Sequence, residues 1–311
     1  MSFTCEKDRG GTMRLLAALV LVHILCCPLL FAAFKDPGFL ARPTGLGGAF
    51  VAVADDVTAG WFNPAGLAQL EGRGASFTYS KPYASLDGVD ISLSCISYLH
   101  SLGERGTVSA GWARFSTADL YQEDTFLVSY GYDLSLLQAG ASLKFFNRAV
   151  VMDERTAQDE VFSGGSSKSA FSVDLGAFKT WGETLTTGLC VKNVNEPNVG
   201  FLANDPVPSE LWLGASDTFA VEKAAGDLMG TVALSFRNKV YNIHAGAELW
   251  LLNHTLAARA GGNRNEASVG SSYLYAIPNS SLTLETHYSF SWPFSIEGTA
   301  GSHRLSLGIQ F

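Results

Sequence analysis

The feature that most constrains this sequence is an alternation of apolar and polar residues that recurs from residue 74 to the C terminus. Between Leu137 and Phe145 every second residue is apolar, and the residues between them are Gln138, Gly140, Ser142 and Lys144. The same alternation fills Ala170–Thr180, Tyr241–Leu251 and Arg304–Phe311. Successive side chains of a β-strand point to opposite faces, so each segment has one apolar face and one small or polar face. The pattern predicts an all-β fold.

The composition decides where the apolar faces must lie. Hydrophobic residues make up 47% of the chain and charged residues 16%, whereas a soluble domain carries about 25% charged residues. Strands whose apolar face meets lipid and whose polar face lines a lumen account for both values. We therefore predict a transmembrane antiparallel β-barrel. A soluble β-sandwich would explain the alternation but not the shortage of charge.

Turn signals divide the alternating region into about fourteen strands, an even number as in bacterial barrels. The predicted strands begin near Gly74, Val89, Gly106, Thr125, Leu136, Ser169, Leu185, Glu210, Leu228, Tyr241, Leu256, Ser268, Ser281 and Arg304. Connectors after odd-numbered strands are the longer ones, including Ala149–Lys168, Val194–Ser209 and Phe290–His303. Because such barrels keep their long loops outside the cell, both termini are expected in the periplasm.

Aromatic residues near the predicted strand ends are expected to form a girdle at the lipid interface. They are Trp112, Tyr130, Tyr132, Trp212, Trp250 and Tyr288.

The N-terminal segment, residues 1–33, is interpreted as a signal peptide that exports the chain to the bacterial outer membrane. A mildly basic start precedes the apolar run Leu15–Phe31, and the small residues Ala32 and Ala33 close it. Met13 is an alternative start. A transmembrane anchor and a lipid anchor on Cys26 or Cys27 are the competing interpretations.

Residues 34–73 lack the strand alternation and are rich in glycine and alanine. Asn63-Pro64 predicts a turn, with Pro64 as the first residue of a short helix through Gln69. A fourteen-stranded barrel is wider than an eight-stranded one, whose own side chains fill it. Residues 34–73 are therefore predicted to form a hatch inside the barrel of residues 74–311.

Glycines of the hatch could be taken for a phosphate-binding loop. Gly45, Gly47 and Gly48 are not followed by Gly-Lys-Ser/Thr, so this interpretation is not favoured. The glycines more simply let the hatch backbone pack against the barrel wall.

Two stretches of the hatch resemble a known family. Arg42–Asp56 (RPTGLGGAFVAVADD) and Asn63–Leu67 (NPAGL) resemble the N-terminal signature of the FadL-like long-chain fatty-acid transporters of the outer membrane. They resemble still more closely the PorV-like relatives and uncharacterised spirochaete barrels. Weaker similarity continues through Pro208–Ser216 and His303–Phe311, so the resemblance spans nearly the whole mature chain.

This resemblance implies a fourteen-stranded barrel closed by a hatch in which Asn63, Pro64 and Ala65 lie. In the fatty-acid transporters a hydrophobic ligand is captured near the outer loops, passes to an inner pocket and leaves after the hatch moves. The PorV-like members instead bind exported proteins for a secretion system. The present chain is shorter than a typical fatty-acid transporter, so it has less room for capture loops.

Charged and histidine residues on the predicted lumen face are the candidate site residues. They are Lys144, Asp174, Lys192, His244, Glu248, Arg259, Glu285 and His287. One interpretation is a network of paired charges in the barrel interior. The other is a polar track for a ligand head group, with Lys192 or Arg259 meeting a carboxylate.

The functional expectation is passage of small hydrophobic compounds, long-chain fatty acids among them, and the alternative is a PorV-like barrel that binds exported proteins. An outer-membrane hydrolase is a distant third hypothesis, because no Gly-x-Ser-x-Gly motif accompanies His244 or His287. We expect no enzyme activity, cofactor or metal. A net charge of −8 without a basic stripe excludes nucleic acid as a partner. The expected partners are outer-membrane lipids, a hydrophobic ligand and the barrel-assembly machinery.

Phe311 resembles the C-terminal signal that the barrel-assembly machinery reads. We predict that deletion of Phe311 leaves the chain in the periplasm while its synthesis changes little. Cell fractionation and immunoblotting measure both quantities. Normal amounts of the truncated protein in the outer membrane would contradict the assembly-signal interpretation.

Overall fold

The computed structural model of this protein describes residues 33–34, 38–88, 90–118, 120–154, 156 and 158–311. The predicted signal peptide therefore lies outside the described residues, apart from Ala33. None of the described helices is long and apolar enough to cross a membrane.

Fourteen strands form the body of the molecule. They are β1 (Arg73–Lys81), β2 (Ile91–Ser101), β3 (Thr107–Thr117), β4 (Tyr121–Asp133), β5 (Gln138–Val150), β6 (Ser167–Trp181), β7 (Leu185–Lys192), β8 (Glu210–Val221), β9 (Gly226–Arg237), β10 (Val240–Leu251), β11 (Leu256–Asn263), β12 (Glu266–Ala276), β13 (Thr283–Pro293) and β14 (Ser302–Gln310). Each predicted strand start lies within four residues of the observed one.

The strands close into one antiparallel ring. Each pairs with the next along the chain, and β1 pairs with β14, where Phe77 lies opposite Leu307. Phe311 follows β14 directly, and its backbone exchanges hydrogen bonds of 2.9 and 3.0 Å with Arg73. Closure leaves no strand edge unpaired, which is the condition for a sheet to cross a bilayer. The predicted transmembrane β-barrel of about fourteen strands is confirmed.

The two faces of the strands differ as the alternation predicts. In β14, Leu305 and Leu307 are 47% and 51% exposed, whereas Arg304 and Ser306 are buried. Tyr130, Tyr132 and Tyr288 also lie on the exposed outer face. The outer surface of the barrel is thus apolar and the lumen is polar.

Two residues predicted for the aromatic girdle face the lumen instead. The Trp212 ring lies 4.7 Å from the His244 ring, centroid to centroid, at an angle of 39°, and the Trp250 indole N–H donates to Glu248 Oε1 at 2.8 Å. Strand parity places both on the lumen face, because Trp212 shares the parity of Ser216 and Trp250 shares that of Glu248. The girdle prediction used their position near the predicted strand ends instead, which explains the error.

The two ends of the barrel carry different connectors. We call the end where β1 begins and β14 ends the terminal rim, and the opposite end the loop rim. The longest connectors, residues 151–166 and 193–209, both lie at the loop rim. Two other connectors at that rim, residues 238–239 and 264–265, have only two residues each. The loop rim is therefore high beside β5–β8 and low beside β9–β12.

Residues 38–72, the hatch, lie inside the lumen. They contain a short helix, α1 (Ala41–Gly45), and two 3₁₀ helices, Ala59–Trp61 and Pro64–Gln69. The predicted short helix is present, with Pro64 as its first residue and Asn63 as its cap. Leu46, Phe50 and Leu67 are fully buried, so the hatch supplies the core that a barrel of this width lacks.

Glycines of the wall let the hatch approach the strand backbone. A Cβ on Gly246 would lie 2.5 Å from the Leu46 carbonyl oxygen, and one on Gly111 would lie 2.6 Å from the Trp61 ring. We call the whole set the glycine contacts: Gly74, Gly111, Gly131, Gly140, Gly176, Gly188, Gly214, Gly246 and Gly261. On the hatch side, Gly47 adopts a φ of 66° at a similarly close approach to β11. The hatch is thus seated backbone against backbone.

We predict that Gly188→Ala loosens the hatch, because the added methyl would clash with the Val51 carbonyl. Overpacking of this kind costs about 1–3 kcal/mol. Single-channel conductance in planar bilayers should therefore rise relative to the parent protein. Gly230→Ala is the matched control, since a Cβ on Gly230 in β9 meets nothing within 4 Å. Equal conductance of the two variants would show that the glycine contacts do not hold the hatch.

Candidate ligand-binding cavity

The hatch leaves one part of the lumen open. A cavity of about 90 Å³ lies between the hatch and the loop rim, enclosed by residues of β2–β8. Phe39 and Trp61 of the hatch form its floor. The cavity thus lies at the end of the barrel that carries the longest connectors.

One half of the cavity is apolar. The rings of Phe39 and Trp61 meet edge to face with centroids 5.4 Å apart. The Trp61 indole N–H donates to Ser97 Oγ at 2.9 Å, which fixes the ring against β2. The apolar lining from the wall is Leu93, Ala113, Phe115, Leu127 and Phe146. Rigid aromatic surfaces of this kind suit a hydrophobic ligand.

The other half of the cavity is charged. Lys144 Nζ lies 2.7 Å from Asp174 Oδ1 and donates to Asn193 Oδ1 at 2.6 Å. Lys192 Nζ lies over the rings of Phe62 and Trp212, 5.1 and 5.6 Å from their centroids. These side chains converge because β5, β6 and β7 are neighbours and their lumen-facing residues stand side by side.

Residues 33–34 and the connector 193–209 form the roof. The Phe34 ring stacks on Phe146 with centroids 4.3 Å apart, and its backbone N–H donates to Glu123 Oε2 at 3.0 Å. Val199 and Val207 of the connector pack in the same cluster. An ion pair of 2.7 Å between Arg148 and Asp205 holds the connector to β5. A ligand entering from the loop rim must pass this roof.

The structure places all eight candidate residues on the lumen face and separates them into two groups. Lys144, Asp174 and Lys192 line the cavity. The other five, His244, Glu248, Arg259, Glu285 and His287, lie between the hatch and β10–β13, away from the cavity. Of the two cations predicted to meet a carboxylate, Lys192 is therefore in the cavity and Arg259 is not.

A buried ion network joins the hatch to the wall. Arg42 of α1 donates to both carboxylate oxygens of Glu248, at 2.8 and 3.0 Å, and Arg259 pairs with the same carboxylate. Arg42 also lies 2.5 Å from Asp55 and 3.0 Å from Asp56. Burial disfavours the charge on Arg42, but the carboxylates of Asp55 and Glu248 outweigh burial and hold its pKa above the ordinary range.

Asn63 and Gly47 stabilise the fold of the hatch and its contacts with the wall. The Asn63 amide donates to the Val51 carbonyl at 2.9 Å and to the Ala177 carbonyl of β6 at 3.1 Å. Its oxygen accepts the Ala65 N–H at 3.1 Å. The Gly47 carbonyl accepts from Asn263 at 3.2 Å and contacts His244 Nδ1 at 2.8 Å. None of these contacts faces the cavity.

Two serine–histidine pairs occur in the lumen. Ser272 contacts His287, which in turn contacts Glu285, and Ser235 Oγ lies 3.2 Å from His244 Nε2. Ser272 is buried, and its oxygen accepts from Arg259 at 2.5 Å. Ser272 belongs to the ion network through Arg259, and His244 contacts the Gly47 carbonyl of the hatch. Among the described residues, no group of His, Cys, Asp or Glu is arranged to hold a metal ion.

Several residues of the cavity were not predicted. Trp61, Phe39 and Phe146 carry its apolar half, and Arg42 anchors the ion network. From the sequence, Trp61 was assigned to the hatch, and Phe146 has the same strand parity as the lumen residue Lys144. The sequence offered no signal for which hatch residue meets which strand.

No model of a protein family and no curated protein matches this sequence. Solved structures with a similar fold include a Pseudomonas aeruginosa FadL homologue, with 13% identity, a TM-score of 0.55 and coverage of 87% of this chain and 98% of that chain. The Pseudomonas putida toluene transporter TodX has 12% identity, a TM-score of 0.55 and coverage of 86% and 96%. A TodX deltaS2S3 mutant, described as a monoaromatic hydrocarbon channel, has 11% identity, a TM-score of 0.57 and coverage of 88% and 99%.

At these identities the similarity shows the fold. The chain has the architecture of the FadL-like barrels over nearly their whole length. The closer resemblance to PorV-like proteins and spirochaete barrels stays a prediction.

We predict that Glu248→Gln frees the hatch, because it leaves Arg42 and Arg259 facing each other without the carboxylate between them. Removing one partner of a buried ion pair costs about 3–5 kcal/mol. Conductance in planar bilayers should therefore rise well above that of the parent protein. Glu222→Gln, at an exposed turn of the terminal rim, is the control. A closed Glu248→Gln barrel would contradict the role of the ion network in holding the hatch.

Proposed function

We propose that this barrel lies in the bacterial outer membrane and passes small hydrophobic compounds that carry a polar head. The observation that supports this proposal is the two-sided cavity, in which aromatic side chains face lysines, an amide and the carboxylates of Glu123, Asp174 and Glu210 across one small space. A purely structural network would not require an apolar surface beside its charges. The hatch below the cavity keeps water and polar solutes from passing freely.

The cavity chemistry favours a ligand with an anionic or hydrogen-bonding head. Lys192 and Lys144 supply donors, and a charge-assisted hydrogen bond to a carboxylate is stronger than a neutral one. The opposite surface of Phe39, Trp61 and Phe115 receives the hydrophobic part. A long-chain fatty acid has both features, and we propose it as the concrete candidate.

The size of the cavity limits how much of such a ligand is enclosed. Its volume is about 90 Å³, whereas an apolar cavity that binds benzene measures about 150 Å³. The head and the first carbons of a fatty acid therefore fill it, and the rest of the chain extends past Phe34 toward the loop rim. Two of the similar structures are named as a toluene transporter and a monoaromatic hydrocarbon channel. Ligands of that size agree with a cavity that encloses only a small part of a fatty acid.

Binding of exported proteins is the second candidate. Leu202 and Phe294 on connectors of the loop rim are 67% and 59% exposed, and Met152 is exposed as well. Apolar side chains on outer loops are the feature expected of a protein-binding rim. Native mass spectrometry of the detergent-extracted protein separates the two functions, because it shows either a bound lipid-sized molecule or a bound polypeptide.

We predict that fatty acids bind more tightly as their chain lengthens, by about 0.8 kcal/mol for each buried methylene, until the chain leaves the cavity. Affinity should then level off. Quenching of tryptophan fluorescence, to which Trp61 contributes, measures binding. Lys192→Gln should weaken binding of carboxylates about tenfold and leave the affinity for the matching alcohols unchanged.

Lys223→Gln, at a turn of the terminal rim, is the control for the loss of one positive charge. An equal effect of Lys192→Gln on acids and alcohols would contradict the assignment of Lys192 to the head group. Absence of binding for every chain length would contradict the proposed function.

A further inference from the structure

The connector 193–209, which forms part of the roof of the cavity, is braced by its own hydrogen bonds. The Val207 N–H donates to the Pro197 carbonyl at 2.9 Å, and the Val199 N–H donates to the Asp205 carbonyl at 3.0 Å. Both valines are fully buried. The connector is therefore an ordered cover, and its position on the barrel determines how far the cavity is open toward the loop rim.

Two sets of contacts hold the connector to the barrel outside the cavity. Arg148 of β5 pairs with Asp205 at 2.7 Å. The Asn195 side chain exchanges hydrogen bonds with the backbone of Phe171 and Val173 in β6, at 2.8 and 3.1 Å. None of these five residues lines the cavity. A ligand in the cavity therefore does not contact them.

Asn193 is the residue at which the connector meets the cavity. It lines the cavity and is 4% exposed. Its side-chain oxygen accepts hydrogen bonds from Lys144 Nζ at 2.6 Å and from Ser172 Oγ at 3.0 Å. Its side-chain nitrogen donates to the Pro208 carbonyl at 3.3 Å, near the other end of the connector. One amide thus joins a lysine of the cavity to both ends of the connector.

The backbone of Asn193 depends on the same group of charges. β7 ends at Lys192, and Asn193 adopts a φ of 54°, in the left-handed region that asparagine tolerates better than most residues. Its backbone N–H donates to Asp174 Oδ1 at 2.8 Å, and this oxygen also lies 2.7 Å from Lys144 Nζ. The start of the connector is therefore positioned by the Lys144–Asp174 pair.

The head of a ligand competes with Asn193 for Lys144. An amide oxygen is a neutral acceptor, whereas a carboxylate forms a charge-assisted hydrogen bond that is roughly twice as strong. Lys144 and Lys192 both line the cavity, so a carboxylate bound between them takes the place of the Asn193 oxygen. A hydrocarbon without a head fills only the apolar half and leaves the contact between Asn193 and Lys144 intact.

We propose that Asn193 is the positioning residue that couples binding of the head group to opening of the roof. This inference rests on the proposed function. The connector opens transiently, the head binds Lys144 in the open state, and binding then favours that state. The open roof makes room for the rest of a long chain, which extends toward the loop rim. The barrel therefore accepts a long-chain compound only when its head accepts a hydrogen bond.

A cysteine in the roof measures its opening. Val207→Cys places a thiol at a fully buried position of the connector, where a charged methanethiosulfonate reacts only when the roof opens. The protein is studied in lipid nanodiscs, and the rate without the reporter, from the buried Cys95 and Cys190, is subtracted. The probes are dodecanoate and dodecane, which differ in the head group. Quenching of tryptophan fluorescence shows whether each probe is bound.

We expect bound dodecanoate to speed labelling of the reporter about tenfold, the effect of exchanging one hydrogen bond to a charged group. Bound dodecane should leave the rate unchanged. Equal effects of the two probes, or no effect of bound dodecanoate, would overturn the proposal and leave the proposed function standing. Absence of binding of both probes would contradict the proposed function, and this inference with it.

A substitution at position 193, combined with the reporter, tests the residue itself. Asn193→Gly removes the side chain and keeps the left-handed backbone accessible. Labelling without a ligand should then be about tenfold faster, and dodecanoate should add little. Asn238→Gly is the matched control, because Asn238 has a φ of 48° in a two-residue connector of the same rim.

Slow labelling of Asn193→Gly, with the response to dodecanoate retained, would overturn the proposal. A general loosening of the barrel is recognised by fast labelling of Asn238→Gly as well, and this outcome would also overturn it. The comparison of dodecanoate with dodecane needs no change at position 193. It therefore decides the coupling even if Asn193→Gly does not assemble.

Discussion

The constraint on which the rest of this structure depends is the absence of water in the hydrocarbon of a bilayer. An unpaired backbone N–H or C=O there costs several kcal/mol, so the sheet must close, and β1 pairs with β14 along eight residues from Gly74 to Lys81. Closure with fourteen strands fixes a width that the wall side chains cannot fill. The need for a hatch follows from the number of strands.

Hatch and wall then specify each other. Where the wall carries glycine, as at Gly188 or Gly246, the hatch backbone takes the place of a side chain. Where charge is buried at this interface, Arg42 of the hatch pairs with Glu248 of the wall. A buried charge without such a partner would be strongly destabilising. The close approach of the two backbones fixes the position of the hatch. The ion network raises the free energy needed to move the hatch out of the lumen.

The cavity lies where the hatch does not fill the lumen. It lies under residues 33–34, where aromatic hatch residues face the lysines of β5 and β7. The close contacts of the hatch with the wall thus confine the open space to the part of the lumen between the hatch and the loop rim.

Local periodicity determined much of this protein from the sequence. Period two identified the strands, their approximate starts and the lumen face of Lys144 and Glu248. The fixed φ of proline identified the short helix that begins at Pro64. Each of these features depends on residues close together along the chain, and a single sequence reports such relations directly.

Only the tertiary structure decided which lumen residues meet. Strand parity says that Lys192 and Arg259 both face inward, but not that one lines a cavity and the other pairs with Glu248. The girdle prediction failed for Trp212 and Trp250 because it used their position near strand ends and not their parity, which is that of the lumen residues Ser216 and Glu248. The carboxylate of Glu248 meets Arg42 of the hatch, which lies 206 positions away in sequence. Their meeting is set by the packing of hatch against wall, which no local pattern encodes.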